Sequence, residues 1–369
     1  MDAASQKLDG LDALRGIAAL LVLLHHAFGS VALPQNYDTI LLGGIFEEGR
    51  LGVNIFFVLS GFVIAWSNPR DGLPARGILI YALRRIARIY PLYWIALLTV
   101  LVLNWKMGVT SRGDVTASRL VQDALLLPTG RAPLVWAAWT LVYEMMFYLL
   151  FILMLINRRA GLSILTALCV VNIGLFVAGV APENPWLSHL TALYVLQFFF
   201  GVLICQWVQR HPVSPRAARW MVLAGSLALA VIAFVNWSTG THALPSYMDY
   251  AVCAAVIVLG LVSLPPKPDA AQNRVFRILR WLGLYAYSIY LFHIPVQKIV
   301  IKAAIKITGT APGLPVVCGV LLLSIALSLG AGILIGRFIE LPMLGHCKKW
   351  IAKLKPKKLP LAAAPPAVA

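Results

Sequence analysis

Long apolar stretches recur along the whole chain, and they constrain its fold more than any other feature. A transmembrane α-helix needs about 20 mostly apolar residues to cross a hydrocarbon core about 30 Å thick. Stretches of suitable length occur at residues 11–30, 51–68, 90–106, 134–156, 162–181, 187–209, 219–237, 247–264, 281–303 and 314–338. The sequence therefore predicts an all-α polytopic membrane helix bundle with about ten transmembrane helices.

Composition and charge agree with a membrane protein. Of the 369 residues, 60% are hydrophobic and 12% are charged, whereas about a quarter of the residues in soluble proteins are charged. The net charge of +17 needs no nucleic acid to explain it, because Lys and Arg accumulate in the cytoplasmic loops of membrane proteins. We expect membrane lipids as partners and no nucleic acid. The five cysteines form no Cys-x-x-Cys motif, so no disulfide framework and no metal site is expected.

Loops rich in cations alternate with loops that contain few. The cation-rich segments are 69–89, 158–159, 210–219, 267–280 and 348–358. The positive-inside rule places them in the cytoplasm and predicts that both termini are cytoplasmic. The predicted organisation, in a bacterial inner membrane, is a cytoplasmic segment at 1–10, a transmembrane domain at 11–341 and a basic cytoplasmic tail at 342–369. The cations that fall on the outer side, against the rule, are Lys298, Lys302 and Lys306.

The first apolar stretch carries ionisable residues that lipid would exclude. Eleven steps of about 100° bring His26 within about 20° of the face that holds Arg15, about 16 Å further along the helix. Asp12 precedes Arg15 by three positions and leans to the same side, whereas His25 is rotated by about 100°. Such groups are costly in an apolar span and are a functional-site hypothesis by default. The alternative is that Arg15 snorkels to the headgroups and His26 only packs.

The stretch YALRRIARIYP concentrates arginines before the third span. Arg84 and Arg88 are one helical turn apart and project together, and Arg85 adds a third guanidinium. Guanidinium groups bind phosphate in a bidentate manner. The alternative is an anchor at the lipid headgroups, which is the more common role for such a cluster taken alone. Pro91 is predicted to start the third span, a position that tolerates proline.

The fourth span contains a carboxylate. Glu144 is flanked by Thr140 and Tyr148 at four residues on either side, which makes a polar stripe on one helix face. A carboxylate inside an apolar span is protonated, hydrogen-bonded or paired with a cation. Trp139, at the start of the same span, is predicted to contact substrate.

The ninth span places Tyr290, His293 and Gln297 on one face. Pro295 is expected to bend or interrupt this helix and to free backbone carbonyls toward a cavity. Tyr290 is predicted to contact substrate. The alternative is that His293 is an ordinary buried histidine with a satisfied hydrogen bond.

The second span, GVNIFFVLSGF, contains small and polar residues. For Ser60 and Gly61 we favour close packing between helices. Asn54 is ambiguous, because a buried amide needs hydrogen-bond partners, and it is predicted to contact substrate.

Depth along the predicted helices relates these groups to one another. His26, His293 and Glu144 fall within a slab about 6 Å thick, from about 16 to 22 Å above the inner edge of the bilayer. Arg15 and the arginines near residue 84 lie at the cytoplasmic mouth. The prediction is a polar shaft with phosphate-binding groups on the cytoplasmic side and acid–base groups in the outer half.

Several of these stretches together resemble the acyltransferase-3 family of integral membrane acyltransferases. They occur in the order typical of the family, across about residues 9–342. They are LDALRGIAALLVLLHHA with Arg15 and His26, GVNIFFVLSGF, RRIARIYP, WTLVYE, YSIYLFHIP and RFIELP. The sequence departs from the family at Asn54, where many members have an acidic residue. It also lacks the periplasmic hydrolase-like domain that some members append, so a fused two-step mechanism is not expected.

The resemblance implies transfer of an acyl group, usually acetyl, from cytoplasmic acyl-CoA to a hydroxyl of a glycan or a lipid-linked saccharide. Under this interpretation His26, Arg15, Glu144 and His293 are the catalytic group. His26 acts either as general base or as an acyl-carrying nucleophile. Arg84, Arg85 and Arg88 bind the donor acetyl-CoA.

Two other classes of protein remain open from the residues alone. A proton-coupled transporter also uses intramembrane Glu and His, although no repeated pair of broken helices, as many transporters have, is visible in the sequence. A structural or assembly subunit would not need Arg15, His26, Glu144 and His293 together. Thermal unfolding of the protein in detergent can separate these classes, because acyl-CoA should stabilise an acyltransferase and should leave a transporter or a structural subunit unchanged.

Overall fold

The computed structural model describes residues 9–68, 72–107, 115–240, 248–265 and 273–354. Within these ranges all regular elements are helical. Segment 1–8 and the tail from residue 355 lie outside the described residues, so the N-terminal segment and most of the tail stay predictions. The cytoplasmic position of both termini and the domain boundaries stay predictions as well.

Fourteen α-helices follow one another in the described chain. They are α1 Asp9–Ala32, α2 Leu51–Ser67, α3 Ala75–Met107, α4 Ala117–Ala124, α5 Trp139–Ile156, α6 Arg158–Val177, α7 Pro185–Leu190, α8 Tyr194–Arg210, α9 Pro215–Thr239, α10 Met248–Ser263, α11 Arg274–Leu284, α12 Ala286–Thr308, α13 Leu314–Ile335 and α14 Leu341–Lys353. A 3₁₀ helix at Leu42–Arg50 precedes α2, another at Trp136–Ala138 precedes α5, and a π-helical segment at Gly336–Glu340 joins α13 to α14.

Nine helical stretches in the described chain are long and apolar enough to cross a membrane. Helix α10 is a shorter apolar helix at the place of the eighth predicted span. The polytopic helix bundle predicted from the sequence is therefore confirmed. Eight of the ten predicted stretches each overlap one α-helix. The stretch 187–209 instead contains parts of α7 and α8, and the stretch 281–303 contains the end of α11 and most of α12.

The third span begins earlier than the sequence suggested. Helix α3 starts at Ala75 and continues without interruption through the arginines and Pro91 to Met107. The prediction that Pro91 starts the helix is wrong: Pro91 lies inside it, where neighbouring helices can compensate for the missing backbone hydrogen bond. The arginines therefore project from a continuous helix.

The predicted tail is partly a helix. Residues 341–353 form α14, which packs against the N-terminal part of α3. The Nε atom of Arg76 donates to the carbonyl of Leu354 at 2.7 Å. This part of the tail is thus attached to the bundle, and it directly follows the π-helical segment that places Glu340 in the interior.

Small residues allow two close helix crossings that position the site. A Cβ at Gly61 of α2 would collide with the backbone carbonyl of Phe198 in α8, and a Cβ at Gly283 of α11 would collide with the carbonyl of Asp12 in α1. Glycine at such contacts lets two backbones approach each other inside a membrane. The expected packing role of Gly61 agrees with this geometry.

A buried polar cluster joins the 3₁₀ helix Leu42–Arg50 to α9 and α10. The Tyr250 hydroxyl donates to Glu48 Oε2 at 2.5 Å, and Arg50 donates to Glu48 Oε1 at 3.2 Å. The Asn236 amide donates to Asp249 at 3.1 Å and to the Tyr250 hydroxyl at 3.0 Å. We call these five residues the Glu48 network. It closes one end of the bundle over α1.

Candidate active site

Two histidines from different helices lie side by side in the interior. His26 of α1 and His293 of α12 have ring centroids 5.1 Å apart. His293 is 0% exposed and His26 is half-buried. The structure therefore brings together two of the residues that the sequence predicted at similar depth.

The hydrogen bond of His293 defines which of its nitrogens is available. Its Nδ1 lies 3.1 Å from the carbonyl oxygen of Ile289, which can only accept. In a neutral ring the proton is therefore on Nδ1, and Nε2 keeps a lone pair. Within the described residues this Nε2 has no hydrogen-bond partner. His293 thus offers an unused proton acceptor next to His26.

His25 lies close to the site despite its rotation around the helix. Its ring centroid lies 4.8 Å from that of His26, and its Nδ1 lies 3.3 Å from the carbonyl of Phe46. The rotation predicted for His25 is therefore consistent with its position, because the ring points at the neighbouring 3₁₀ helix. The ring touches His26 and also ties α1 to the 3₁₀ helix Leu42–Arg50.

Arg15 is held by its own helix. Its Nη1 donates to Asp12 at 2.6 Å, as the spacing of three residues indicated, and the side chain is 31% exposed. Nearby, Arg280 of α11 pairs with Asp9 at 2.8 Å. These contacts put Arg15 at the N-terminal end of α1, away from His26. Arg15 could therefore influence the histidines only from a distance, and its catalytic role stays a prediction.

Tyr290 connects α12 to α5. Its hydroxyl lies 2.8 Å from Thr140 Oγ1 and donates to the carbonyl of Ala137 at 3.2 Å. Its ring centroid lies 5.9 Å from that of His293. The polar face predicted for the ninth span therefore meets the polar stripe predicted for the fourth.

Glu144 accepts hydrogen bonds from two helices. Ser60 of α2 donates to Glu144 Oε1 at 2.9 Å, and the Tyr148 hydroxyl donates to the same oxygen. The stripe of Thr140, Glu144 and Tyr148 thus has the geometry expected from helical spacing. Ser60 lies at a contact between two helices, as the packing role favoured for it requires. Its hydrogen bond to Glu144 adds a second role, which only the contact between α2 and α5 reveals.

The three predicted donor-binding arginines have different environments. Arg84 is exposed. Arg85 turns inward, with its guanidinium over the rings of Tyr81 at 5.6 Å and Tyr148 at 5.4 Å, and its buried Nε has no partner in the described chain.

Arg88 pairs with a carboxylate that the sequence did not connect with it. Its Nη1 donates to Glu340 Oε1 at 2.7 Å, and its guanidinium lies 5.3 Å from the centre of the Tyr287 ring. Arg88 is 43% exposed whereas Glu340 is 1% exposed. Nothing in the sequence indicated this ion pair, and donor binding by Arg84, Arg85 and Arg88 stays a prediction.

Asn54 lies in the helix interface and not at an opening. It is 2% exposed, and its amide donates to Gln197 Oε1 of α8 at 3.0 Å. This geometry gives Asn54 a packing role between α2 and α8. Its predicted contact with substrate stays a prediction that the geometry does not favour.

Trp139 belongs to a group of half-buried aromatic rings at the start of α5. Its ring centroid lies 5.4 Å from that of Tyr194 and 6.1 Å from that of Tyr143. Tyr143 in turn stacks on His189 at 4.8 Å. Trp139 is thus partly accessible, as a substrate-contacting residue must be.

Polar side chains follow one another from the arginines of α3 to His26 of α1, and we call this series the polar path. One end holds cations that can bind an anion, and the other end holds imidazoles that can accept a proton. Glu144 lies between them, one helical turn from Thr140. The members, in order, are Arg88, Arg85, Tyr148, Glu144, Thr140, Tyr290, His293 and His26.

Several known proteins are similar to this chain over most of its length. The chain is 28% identical over 283 residues to the exopolysaccharide production protein ExoZ of Rhizobium meliloti, covering 73% of this chain and 83% of the relative. It is 28% identical over 326 residues to the acyltransferase MdmB of Streptomyces mycarofaciens, covering 79% of each. It is 23% identical over 328 residues to the peptidoglycan O-acetyltransferase OatA of Listeria monocytogenes, covering 78% of this chain and 49% of the relative.

No solved structure matches the chain. The sequence profile of one family, described as an acyltransferase domain and designated acyltransferase 3, matches residues 8–333 and so includes every member of the polar path; Glu340, the partner of Arg88, lies just beyond it. The chain belongs to this acyltransferase-3 family and is a multi-pass membrane acyltransferase.

Proposed function

We propose that the protein transfers an acetyl group from acetyl-CoA to a hydroxyl of a cell-envelope glycan or glycolipid. The polar path is the observation that carries this proposal, because it links groups suited to a phosphate-rich donor with groups suited to proton transfer. The names of two relatives, a peptidoglycan O-acetyltransferase and an exopolysaccharide production protein, support a glycan acceptor.

The donor binds at the arginine end. Coenzyme A carries several phosphates, and guanidinium groups are well suited to them. Arg84 is exposed, and Arg85 has an unused N–H in the described chain. These two arginines are the first contacts for the phosphates, while Arg88 shares its guanidinium between the donor and Glu340.

The reaction takes place at the histidine end. The acceptor hydroxyl oxygen attacks the thioester carbonyl carbon, and His26 accepts the hydroxyl proton as general base. The carbon–sulfur bond breaks, and the thiolate of coenzyme A takes up the proton from His26. His293 Nε2 accepts a hydrogen bond from the protonated ring and so stabilises it. In the alternative, His26 carries the acetyl group itself before the acceptor receives it.

The test is an assay with the purified full-length protein, radiolabelled acetyl-CoA and lipid-linked glycans. We expect label on the glycan with the wild-type protein and none with His26→Ala. Label that stays on the protein in the absence of glycan would identify the covalent route. Absence of labelled product, together with no protection against heat by acetyl-CoA, would contradict the proposal.

The proposed direction of transfer requires the arginine end to face the cytoplasm. The alternation of cation-rich and cation-poor loops supports this orientation. A reporter enzyme inserted at Gln35, in the exposed turn after α1, should then be active outside the cytoplasm. Cytoplasmic activity of that reporter would reverse the orientation and the assignment of the two ends.

A further inference from the structure

A small cavity lies beside the polar path, between α3, α12 and the segment before α5. Its volume is about 20 Å³, counted as the space open to the centre of a water molecule. About 10–15 Å³ by this measure holds one water, so the cavity accommodates one water molecule or one hydroxyl group. Its wall is mostly apolar, with Val100, Leu134, Val135 and Trp136 among the lining residues.

Asn104 is the buried polar side chain in this wall. It is 5% exposed, and within the described residues neither its Nδ2 nor its Oδ1 has a hydrogen-bond partner. An amide buried with both ends unpaired is costly. A hydroxyl group can satisfy both ends, because it donates and accepts at once.

The backbone of α12 adds an acceptor to the same cavity. Leu291 and Pro295 both line it. Proline has no N–H, so the carbonyl of the residue four positions earlier, Leu291, has no α-helical donor. Both Asn104 and this carbonyl can therefore accept a hydrogen bond from a ligand.

Lys298 supplies a positive charge at the cavity. It is exposed, it lines the cavity, and in the described chain it has no carboxylate within ion-pair distance. Lys302 and Lys306 follow on the same helix face at intervals of one turn, so the charge continues along α12. Lysine is a common phosphate ligand. These lysines lie on the side where the positive-inside rule expects few cations, which calls for an anionic partner.

We propose that this cavity and Lys298 bind a phosphate ester that carries a free hydroxyl. The hydroxyl enters the cavity and pairs with Asn104, and the phosphate pairs with Lys298. Two lipids have this chemistry: a saccharide attached through phosphate to a lipid carrier, and the glycerol headgroup of phosphatidylglycerol. The proposal extends the proposed function, since Ala137, whose carbonyl accepts from Tyr290, also lines the cavity and makes the site a neighbour of the polar path.

Binding without any acyl donor tests the proposal. The full-length protein in detergent is titrated, by native mass spectrometry, with a polyprenyl-phosphate monosaccharide, with phosphatidylglycerol and with phosphatidic acid, which lacks the hydroxyl. The variants are Lys298→Met and Asn104→Leu. Lys306→Met is the matched control, because it removes the same charge from the same helix at a position that does not line the cavity.

Lys298→Met should weaken binding of all three lipids by about tenfold or more, the usual consequence of losing a hydrogen bond to a charged group. Asn104→Leu should weaken binding of the two hydroxylated lipids by about two- to tenfold and leave phosphatidic acid unchanged. Lys306→Met should bind like the wild type. Preference for the saccharide phosphate would identify the carrier lipid as the ligand, and equal binding of phosphatidylglycerol would identify a membrane lipid.

Wild-type binding by both Lys298→Met and Asn104→Leu would mean that the cavity holds a structural water only and would overturn the proposal. If Asn104→Leu fails to fold, the binding result for Lys298→Met decides whether the proposal stands. This variant should fold, because the side chain of Lys298 is exposed. Because no donor is present, the result does not depend on whether the protein transfers acetyl groups.

Discussion

The polar path and the Glu48 network are both groups of polar side chains inside the bundle, but they differ in how their buried acceptor atoms are paired. In the network, each oxygen of Glu48 accepts a hydrogen bond, one from Arg50 and one from Tyr250. Within the described residues, by contrast, His293 Nε2 on the polar path and Oε2 of Glu340, the partner of Arg88, accept no hydrogen bond.

The difference separates a stabilising role from a functional one. Buried polar groups whose hydrogen bonds are satisfied rigidify a fold. An unpaired buried polar atom costs free energy, so each such atom calls for an explanation, and a missing ligand is one of them. We therefore expect substitution of paired groups, which include the Glu48 network and the Arg88–Glu340 pair, to change stability, and substitution of the histidines to change activity.

The largest expected effect belongs to His26→Ala. Loss of a general base typically costs about 10²–10⁴-fold in rate, so acetyl transfer should fall on that scale while donor binding and thermal stability stay close to wild type. The measurement is product formed per molecule at matched membrane abundance. His211→Ala, an exposed histidine on α8's C-terminal side, is the control and should remain active.

His25→Ala refines the same experiment. Since the His25 ring contacts both His26 and the Phe46 carbonyl, we expect a smaller loss of rate together with reduced stability. If His25→Ala is inactive and His26→Ala is active, the histidine end of the polar path has been assigned to the wrong residue.

Arg88→Ala should produce the next largest effect. It leaves the buried Glu340 carboxylate without its cation, and breaking such a pair typically costs about 3–5 kcal/mol. We expect the lower end of this range, because Arg88 itself is 43% exposed. Thermal unfolding in detergent measures the loss, and Arg88→Ala combined with Glu340→Gln should recover part of it. An unchanged unfolding temperature in Arg88→Ala would show that the pair is not formed in the membrane protein.

Tyr250→Phe tests the Glu48 network directly. It removes the hydroxyl that donates to Glu48 and accepts from Asn236, and leaving such groups unpaired costs about 1–3 kcal/mol of unfolding free energy. The rate per folded molecule should stay within about twofold of wild type, because the network does not touch the reacting groups. A loss of rate as large as that of His26→Ala would show that the Glu48 network, like the polar path, has a role in the reaction.

Arg84→Lys should have the smallest effect. The substitution keeps the charge but loses the bidentate geometry, and exposed charge pairs are worth about 0.2–1 kcal/mol. Affinity for acetyl-CoA, measured by titration, should therefore weaken by about two- to fivefold. If the affinity is unchanged, Arg84 does not bind the donor and acts instead as an anchor at the lipid headgroups.

The features predicted correctly from the sequence depend on the length and the period of single helices. Apolar length located the ten spans, and spacings of three or four residues correctly grouped Asp12 with Arg15, Tyr148 with Glu144, and Tyr290 with His293. Counting residues from the inner edge of the bilayer also placed His26 and His293 at similar depths, because both helices are predicted to enter the membrane from the cytoplasm.

What the sequence could not supply was which helices are neighbours. The contacts of Ser60 with Glu144, Arg88 with Glu340 and Tyr250 with Glu48 join residues that are 84, 252 and 202 positions apart. They depend on crossings where small residues let helices approach, such as Gly61 against Phe198. Helical periodicity describes one helix at a time and contains no information about such crossings.

The π-helical segment Gly336–Glu340 lets the helix hold one extra residue just before α14. A π-helical turn accommodates one residue more than an α-helical turn, so deleting a single residue between 336 and 339 would convert this turn to an α-helical one. Because the turn itself absorbs the deletion, Glu340 should keep close to its present direction toward Arg88. A one-residue deletion in the middle of a regular α-helix would instead rotate everything beyond it by about 100°, so this segment should tolerate a change of length that α12 or α13 would not.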